Sequence, residues 1–365
     1  MGDQAQLLQK LEGPVDRGDV HAGGGLRHVR VYLVRRGVPE RVHGFQHELA
    51  LRGESQPAGA KLICQGHAGH GLNATDSDYA AGVADLRVVA VLGTGVVPAD
   101  TPILRADDLG ILRGDGIFET MHIRAGQAWL LDEHLSRMVG SAERMQLALP
   151  PMAELRELVD QTLAGWPPDL EGALRVICTR GAENGDGRVT VFATASAIGD
   201  TFRRARHEGI RVLTAALGVP STLRPASPWL LGGAKTLSYA VNMASQRWAL
   251  AEGADDVLWV SADGYALEAP TATLVWLRGG TLYTVPAAQT GILAGTTARW
   301  LLERAASLGW SHGEEMIRPG ELAECDGAWL TSSVRGVAAI RFLDGVPLRT
   351  PMKVTARIRE FLGYP

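Results

Sequence analysis

Apolar residues fall into regular periods from Leu86 onward and into none before it. Leu86–Leu92 is an apolar run bounded by the turn residues of Gly93–Pro102, which predicts a buried strand. Ile117–Ile123 alternates and predicts a second strand, closed by a hairpin turn at Ala125-Gly126. Leu135, Met138, Val139, Ala142 and Met145 recur at three and four residues, the face of an amphipathic helix that Pro150 and Pro151 stop. Leu155, Leu158, Val159 and Leu163 predict another helix over Glu154–Trp166, with strands at Ala173–Thr179 and Val189–Ala195 after it.

The charged stretch Ile198–Glu208 predicts a linker, and Ile210–Ala216 a strand beyond it. Val241, Ala244, Trp248 and Leu250 predict a helix over Ser238–Glu252. Asp256–Val260 with Tyr265–Glu268, and Thr273–Leu277 with Thr281–Val285, predict two hairpins. A helix over Gly295–Leu308, strands at Ala328–Thr331 and Gly336–Phe342, and a helix over Pro351–Leu362 complete the pattern. Short antiparallel strands mixed with helices predict an α+β fold: a small domain over 83–197, an interdomain linker over 198–208 and a larger domain over 209–365. Residues 1–82 predict a poorly ordered or accessory extension. His43 and His47 there have the i, i+4 spacing of metal ligands, but Gly44 stands where such motifs carry glutamate, so no metal site is expected.

Composition narrows the class. At 46% apolar and 21% charged residues the chain reads as a soluble globular protein, and its net charge of −4 disfavours a nucleic-acid partner. Three widely spaced cysteines predict free thiols in a cytoplasmic protein. No apolar run approaches the length of a membrane span.

The candidate chemistry centres on Gly232–Ala244, GGAKTLSYAVNMA. Lys235 is the only lysine between Asp85 and Met352, in a stretch that otherwise takes its positive charge from arginine. A lysine can lose its proton and act as nucleophile or base, which arginine cannot. Glu268, at the end of a predicted hairpin strand beside an apolar run, is either a surface carboxylate or one facing a protonated heterocycle nitrogen. Leu293–Ala298 (LAGTTA) is either a simple helix cap or a phosphate site. Leu330–Val334 (LTSSV) is either a turn or an anion contact, and Arg137 either a solvated helix charge or a phosphate partner.

The ordered series GDGIFET, LLDEHLSRM, AKTLSYAVNMA, DGYALEAPTATLVW, ILAGTTARWLL and WLTSSVRGVAAI resembles the class IV (fold type IV) pyridoxal-phosphate enzymes from about Leu86 to Phe342. That family holds branched-chain and D-amino acid aminotransferases and 4-amino-4-deoxychorismate lyases. The resemblance implies pyridoxal 5'-phosphate on Lys235, Glu268 at its ring nitrogen, and Arg137, Thr296, Thr297 and Ser333 around its phosphate. It also implies a cofactor between two α+β domains and a homodimer acting on a small molecule. Tyr239, four residues after the lysine, resembles the tyrosine of the lyases, although Ser238 replaces their usual asparagine. The R-x-H carboxylate trap of D-amino acid enzymes is missing from Gly181–Gly187. A lyase is therefore expected, with an aminotransferase or a non-enzymatic member as alternatives. Arg113, Arg180, Arg188 and Arg335 are candidates for the substrate carboxylate by location alone.

Overall fold

The computed structural model of the chain describes residues 86–365. The expectations for residues 1–82, the His43 and His47 pair included, lie outside them.

The first sheet is built from β1 (Arg87–Val91), β2 (Gly95–Val97), the short helix α1 (Leu109–Arg113), β3 (Gly116–Arg124), β4 (Gln127–Ala128), α2 (Leu131–Met145), α3 (Met152–Ala164), β5 (Gly172–Thr179) and β6 (Thr190–Ala197). Its strand order is β2-β1-β6-β5-β3-β4, and every pairing is antiparallel. Alternation along β3 puts Ile117, Met121 and Ile123 in one core with Leu135 and Met138 of α2 and Leu155, Leu158 and Val159 of α3. The opposite face of β3 and β5 lines a cavity with Phe118, Thr120, Arg175 and Ile177. It sets Phe118 opposite Ile177 and Thr120 opposite Arg175.

The stretch predicted as a linker, 198–208, holds a helix, α4 (Asp200–Glu208). Its charge hid an inward residue: Arg206 is fully buried and forms an ion pair with Glu171 at 2.5 Å.

A second, eight-stranded sheet follows. It comprises β7 (Ile210–Ala216), α5 (Leu223–Ala226), α6 (Ala240–Ala251), β8 (Asp256–Val260), β9 (Thr273–Arg278), β10 (Thr281–Thr284), α7 (Ala287–Thr290), α8 (Thr296–Glu303), β11 (Ser311–Glu314), β12 (Gly327–Ser332), β13 (Gly336–Leu343), β14 (Val346–Pro347) and α9 (Met352–Phe361). The order is β11-β10-β9-β12-β13-β7-β8, with β14 on β13. The antiparallel expectation holds only in part, because β7 pairs in parallel with β8 and β13, and β10 with β11. Tyr265–Glu268 forms no full strand. A single bridge between Val260 and Ala266 ties it to β8, and Trp259 N donates to the Glu268 carbonyl at 3.0 Å. Trp276, Leu274, Leu330 and Ile340 fill one face of this sheet, and Trp329, Leu301 and Ile358 the other. The expected apolar face of α6 is not buried: Val241, Trp248 and Leu250 are exposed. No helix among the described residues is long and apolar enough to cross a membrane.

Candidate active site

The Lys235 segment runs along the edge of β3 that β4 leaves unpaired. Phe118 N donates to the Lys235 carbonyl at 3.1 Å and Leu237 N to the Gly116 carbonyl at 2.8 Å. Gly116 allows this approach, since a Cβ there would lie 2.6 Å from the Cys178 carbonyl oxygen and from Leu237 Cδ1. Ser141 of α2 fixes the segment from the other side, its Oγ accepting from Lys235 N at 3.1 Å. The lysine therefore sits where the two sheets meet.

Its side chain enters a cavity of 910 Å³ whose walls include Phe118, Thr120, Arg175, Thr296, Thr297 and Ser333. Lys235 Nζ lies 4.3 Å from the centroid of the Phe118 ring and 3.0 Å from the Tyr239 hydroxyl. Burial pulls its pKa down to about 8, against the pull of Glu119 in the other direction. Burial likewise pushes the Tyr239 phenol up, so it keeps its proton.

Glu268 is mostly enclosed. Its Oε1 accepts from Arg224 Nη1 at 3.1 Å and its Oε2 from Leu293 N at 3.1 Å. Burial raises its pKa, and Arg224 together with the Leu293 amide restrains the rise. Arg224, on α5, carried no motif and went unassigned in the sequence.

On the opposite wall α8 starts at Thr296 after Gly295, with no side-chain cap on its first turn. The leading N–H groups of such a helix lack intrahelical acceptors and suit an anion. The Thr297 hydroxyl is buried without a hydrogen-bond partner among the described residues. Arg137 Nε and Nη2 both reach the Glu119 carboxylate at 2.7 Å, and Nη1 donates to the Ala294 carbonyl at 2.9 Å beside the helix start. Glu119 is fully buried on β3, in phase with the core residues Ile117 and Met121. Although burial alone would raise its pKa, Arg137 and His134 hold it well below the carboxylate range.

His134 completes this wall. Its Nδ1 lies 2.6 Å from Glu119 Oε2, so it must donate to that ionised carboxylate. Its Nε2 faces the hydroxyls of Thr296 at 3.1 Å and Ser333 at 3.0 Å. Glu119 and His134 lie inside quoted motifs yet drew no role from the sequence. A glutamate in the apolar phase of a strand, followed by a His and an Arg on one helix face, is the signal that points to them.

The structure thus gathers Lys235, Tyr239, Arg137, Thr296, Thr297 and Ser333 around one cavity, with Glu268 behind it. The four arginines proposed for the substrate carboxylate all have carboxylate partners. Arg113 pairs with Glu183, Arg180 with Asp115, Arg188 with Asp186 and Arg335 with Asp256. Arg335 alone of them lines the cavity. Arg175 of β5 lines the cavity and makes no ion pair or side-chain hydrogen bond among the described residues.

A neutralisable amine, a buried carboxylate and an uncapped helix start with hydroxyls and an arginine fit pyridoxal 5'-phosphate. Lys235 would hold its carbonyl carbon, Glu268 its ring nitrogen, and α8 with Thr297 and Arg137 its phosphate.

The family model described as amino-transferase class IV matches residues 116–342. The bifunctional aminodeoxychorismate lyase / D-amino acid transaminase of Mycobacterium tuberculosis is 38% identical over 274 residues, 73% of this chain and 94% of that protein. Among solved structures, a hypothetical Mycobacterium tuberculosis aminotransferase with bound α-ketoglutarate and PMP has a TM-score of 0.72 and 39% identity, covering 75% of this chain and 98% of that one. A fold IV transaminase from Curtobacterium pusillum has a TM-score of 0.71 and 36% identity, covering 76% of this chain and 97% of that one.

Proposed function

Because the chain belongs to the amino-transferase class IV family and is a pyridoxal-phosphate enzyme of fold type IV, we propose that it is an aminodeoxychorismate lyase. In this reading 4-amino-4-deoxychorismate gives 4-aminobenzoate, a folate precursor, and pyruvate. The bound cofactor supplies a ring that takes up the electrons left when the substrate carbon loses its proton. Lys235, with its lowered pKa, is the base that removes that proton. The ring carbon–oxygen bond to the enolpyruvyl group then breaks, the ring becomes aromatic, and the departing enol gains a proton to become pyruvate. Glu268 holds a proton on the heterocycle nitrogen, which its ionised form alone can do. Arg175 binds a substrate carboxylate.

The observation that carries the reading is the 3.0 Å contact between Lys235 Nζ and the Tyr239 hydroxyl. An elimination uses the amine at one substrate carbon, and a tether beside that carbon suits it. Transamination needs the same proton delivered to a second carbon. The name of the Mycobacterium tuberculosis relative keeps transamination as the second reading.

One assay separates them. Aminodeoxychorismate alone should yield 4-aminobenzoate and pyruvate over many turnovers with no amino acceptor. Rapid acceptor-dependent conversion of L- or D-amino acids, with no 4-aminobenzoate formed, would decide for the aminotransferase. A homodimer is part of the proposal, since Ile111, Leu112, Trp229, Leu230 and Val241 are exposed apolar residues that a second copy would cover. So is a cytoplasmic location, which the buried free thiols Cys178 and Cys325 suit.

A further inference from the structure

His134 is the point at which α2 meets the second half of the fold. Because its Nδ1 donates to the ionised Glu119 at 2.6 Å, a neutral ring carries its one proton there and Nε2 offers only a lone pair. Two hydroxyls face that lone pair, Thr296 of α8 at 3.1 Å and Ser333 after β12 at 3.0 Å. They stand 3.4 Å from each other, and neither has another hydrogen-bond partner among the described residues. Both residues are buried and both line the cavity.

The number of protons decides what this wall holds. A hydroxyl that gives its proton to Nε2 has none left for the cavity, so a neutral His134 leaves at most one of the two as a donor there. A protonated ring gives a proton instead, and both hydroxyls are then free to donate outward. Charge points the same way. Arg137 and Glu119 form an ion pair and cancel one another, so a neutral His134 leaves these three side chains without net charge. The start of α8 adds only the partial positive charge of a helix end. A phosphate monoester is mostly a dianion at neutral pH, its second pKa being about 6.

The charged groups that face the ring are Glu119 from β3, Arg137 from its own helix, with Nη2 3.5 Å from Nδ1, and Lys235 from the segment along β3. Thr296 and Ser333 are its uncharged partners. Burial lowers the His134 pKa most, Glu119 raises it, and Arg137 and Lys235 lower it further, so the protein's own groups favour the neutral ring. A dianion held against the two hydroxyls shifts that balance toward the charged ring.

We propose that His134 is a positioning residue that takes up a proton when the cofactor's phosphate binds, and so turns the Thr296 and Ser333 hydroxyls into donors to it. The proton comes from solution, joins the Nε2 lone pair, and leaves again when the phosphate does. This rests on the assignment of the wall to the phosphate and not on the lyase reading.

The experiment compares full-length protein loaded with pyridoxal 5'-phosphate and with pyridoxal, which lacks only the phosphate, near neutral pH in a phosphate-free buffer. In 15N NMR of histidine-labelled protein, with the ring assigned from His134→Asn, His134 should be the neutral Nδ1–H form with pyridoxal and doubly protonated with the phosphate ester. The same form in both overturns the proposal. In His134→Asn the shorter amide keeps a donor for Glu119 and does not reach the hydroxyls. Its affinity for the phosphate ester should fall roughly tenfold, with pyridoxal bound as in the wild type, and an equal loss for both ligands overturns the proposal. A second measurement needs no variant. Calorimetry in two buffers of different ionisation heat should show one more proton taken up with the phosphate ester than with pyridoxal, and equal uptake overturns the proposal. Thr297→Val tests the wall by itself, since it removes the buried hydroxyl that has no partner among the described residues. A loss confined to the phosphate ester places the phosphate there whatever His134 does. Equal binding changes for both ligands overturn the assignment of the wall, and the proposal with it.

Discussion

Lys235 Nζ and the Tyr239 hydroxyl stand 3.0 Å apart, the tyrosine at the start of α6 and the lysine one turn before it. The contact fixes the amine over the Phe118 ring. With burial pulling the lysine down to about 8, a useful fraction of free amine exists at neutral pH. Only the unprotonated amine attacks a carbonyl, so cofactor capture by the cofactor-free protein should speed up as pH rises and level off above about 8. Stopped-flow absorbance across the neutral to alkaline range checks this. A limb still climbing at the pH of an ordinary lysine would mean that the amine is not desolvated.

Glu268 and Arg224 give a second pH signature. Burial raises the Glu268 pKa, Arg224 restrains it, and the ionised form is the useful one. Activity supported by Glu268 is therefore present above its folded pKa and lost as pH falls through it. Arg224→Met removes the restraint, so the acid limb of the rate profile should move to higher pH while alkaline rates recover. Glu268→Gln should keep the cofactor and lose about a hundredfold or more in kcat. A wild-type rate in Glu268→Gln would place the carboxylate away from the ring nitrogen.

Arg175 lines the cavity with no ion-pair partner among the described residues, unlike the four arginines that the sequence offered. Arg175→Met should raise KM about tenfold or more with a smaller change in kcat, the mark of lost substrate binding. Arg188→Ala, which removes an exposed arginine paired with Asp186, should change neither constant. Steady-state kinetics of both variants on the same substrate makes the comparison.

Arg137 serves two partners at once. Its replacement by alanine removes a cation beside the proposed phosphate site and leaves Glu119 buried without its main counter-charge. Removing one member of a buried pair costs about 3–5 kcal/mol. Arg137→Ala should therefore lower the melting temperature of the cofactor-free protein as well as weaken cofactor retention. An unchanged melting temperature would show that Glu119 finds compensation elsewhere.

Most of the frame was legible in the sequence because the strands of the first sheet alternate and its helices carry clean apolar stripes. Lys235 stood out in the sequence as a lysine kept where arginine is the rule, and the structure places it on the cavity wall. What stayed hidden has a common cause. Arg206 and Arg224 are buried or enclosed polar groups whose carboxylate partners, Glu171 and Glu268, lie far away in sequence, and local pattern carries no information about such pairs. The charge of 198–208 concealed that α4 buries Arg206. The apolar residues of α6 misled in the opposite sense, since Val241 and Leu250 face outward. Arg175 was overlooked because a charged residue within an apolar strand reads as a solvent-facing position, and here that face is the floor of the cavity.

The central claim is that Lys235 carries the cofactor. Reduction of the cofactor-loaded protein with borohydride, followed by proteolysis and peptide mapping by mass spectrometry, tests it in one step. The account predicts a single phosphopyridoxyl group on Lys235, with a Lys235→Ala protein unlabelled and inactive. Label on another lysine, or none on the wild type, would contradict it.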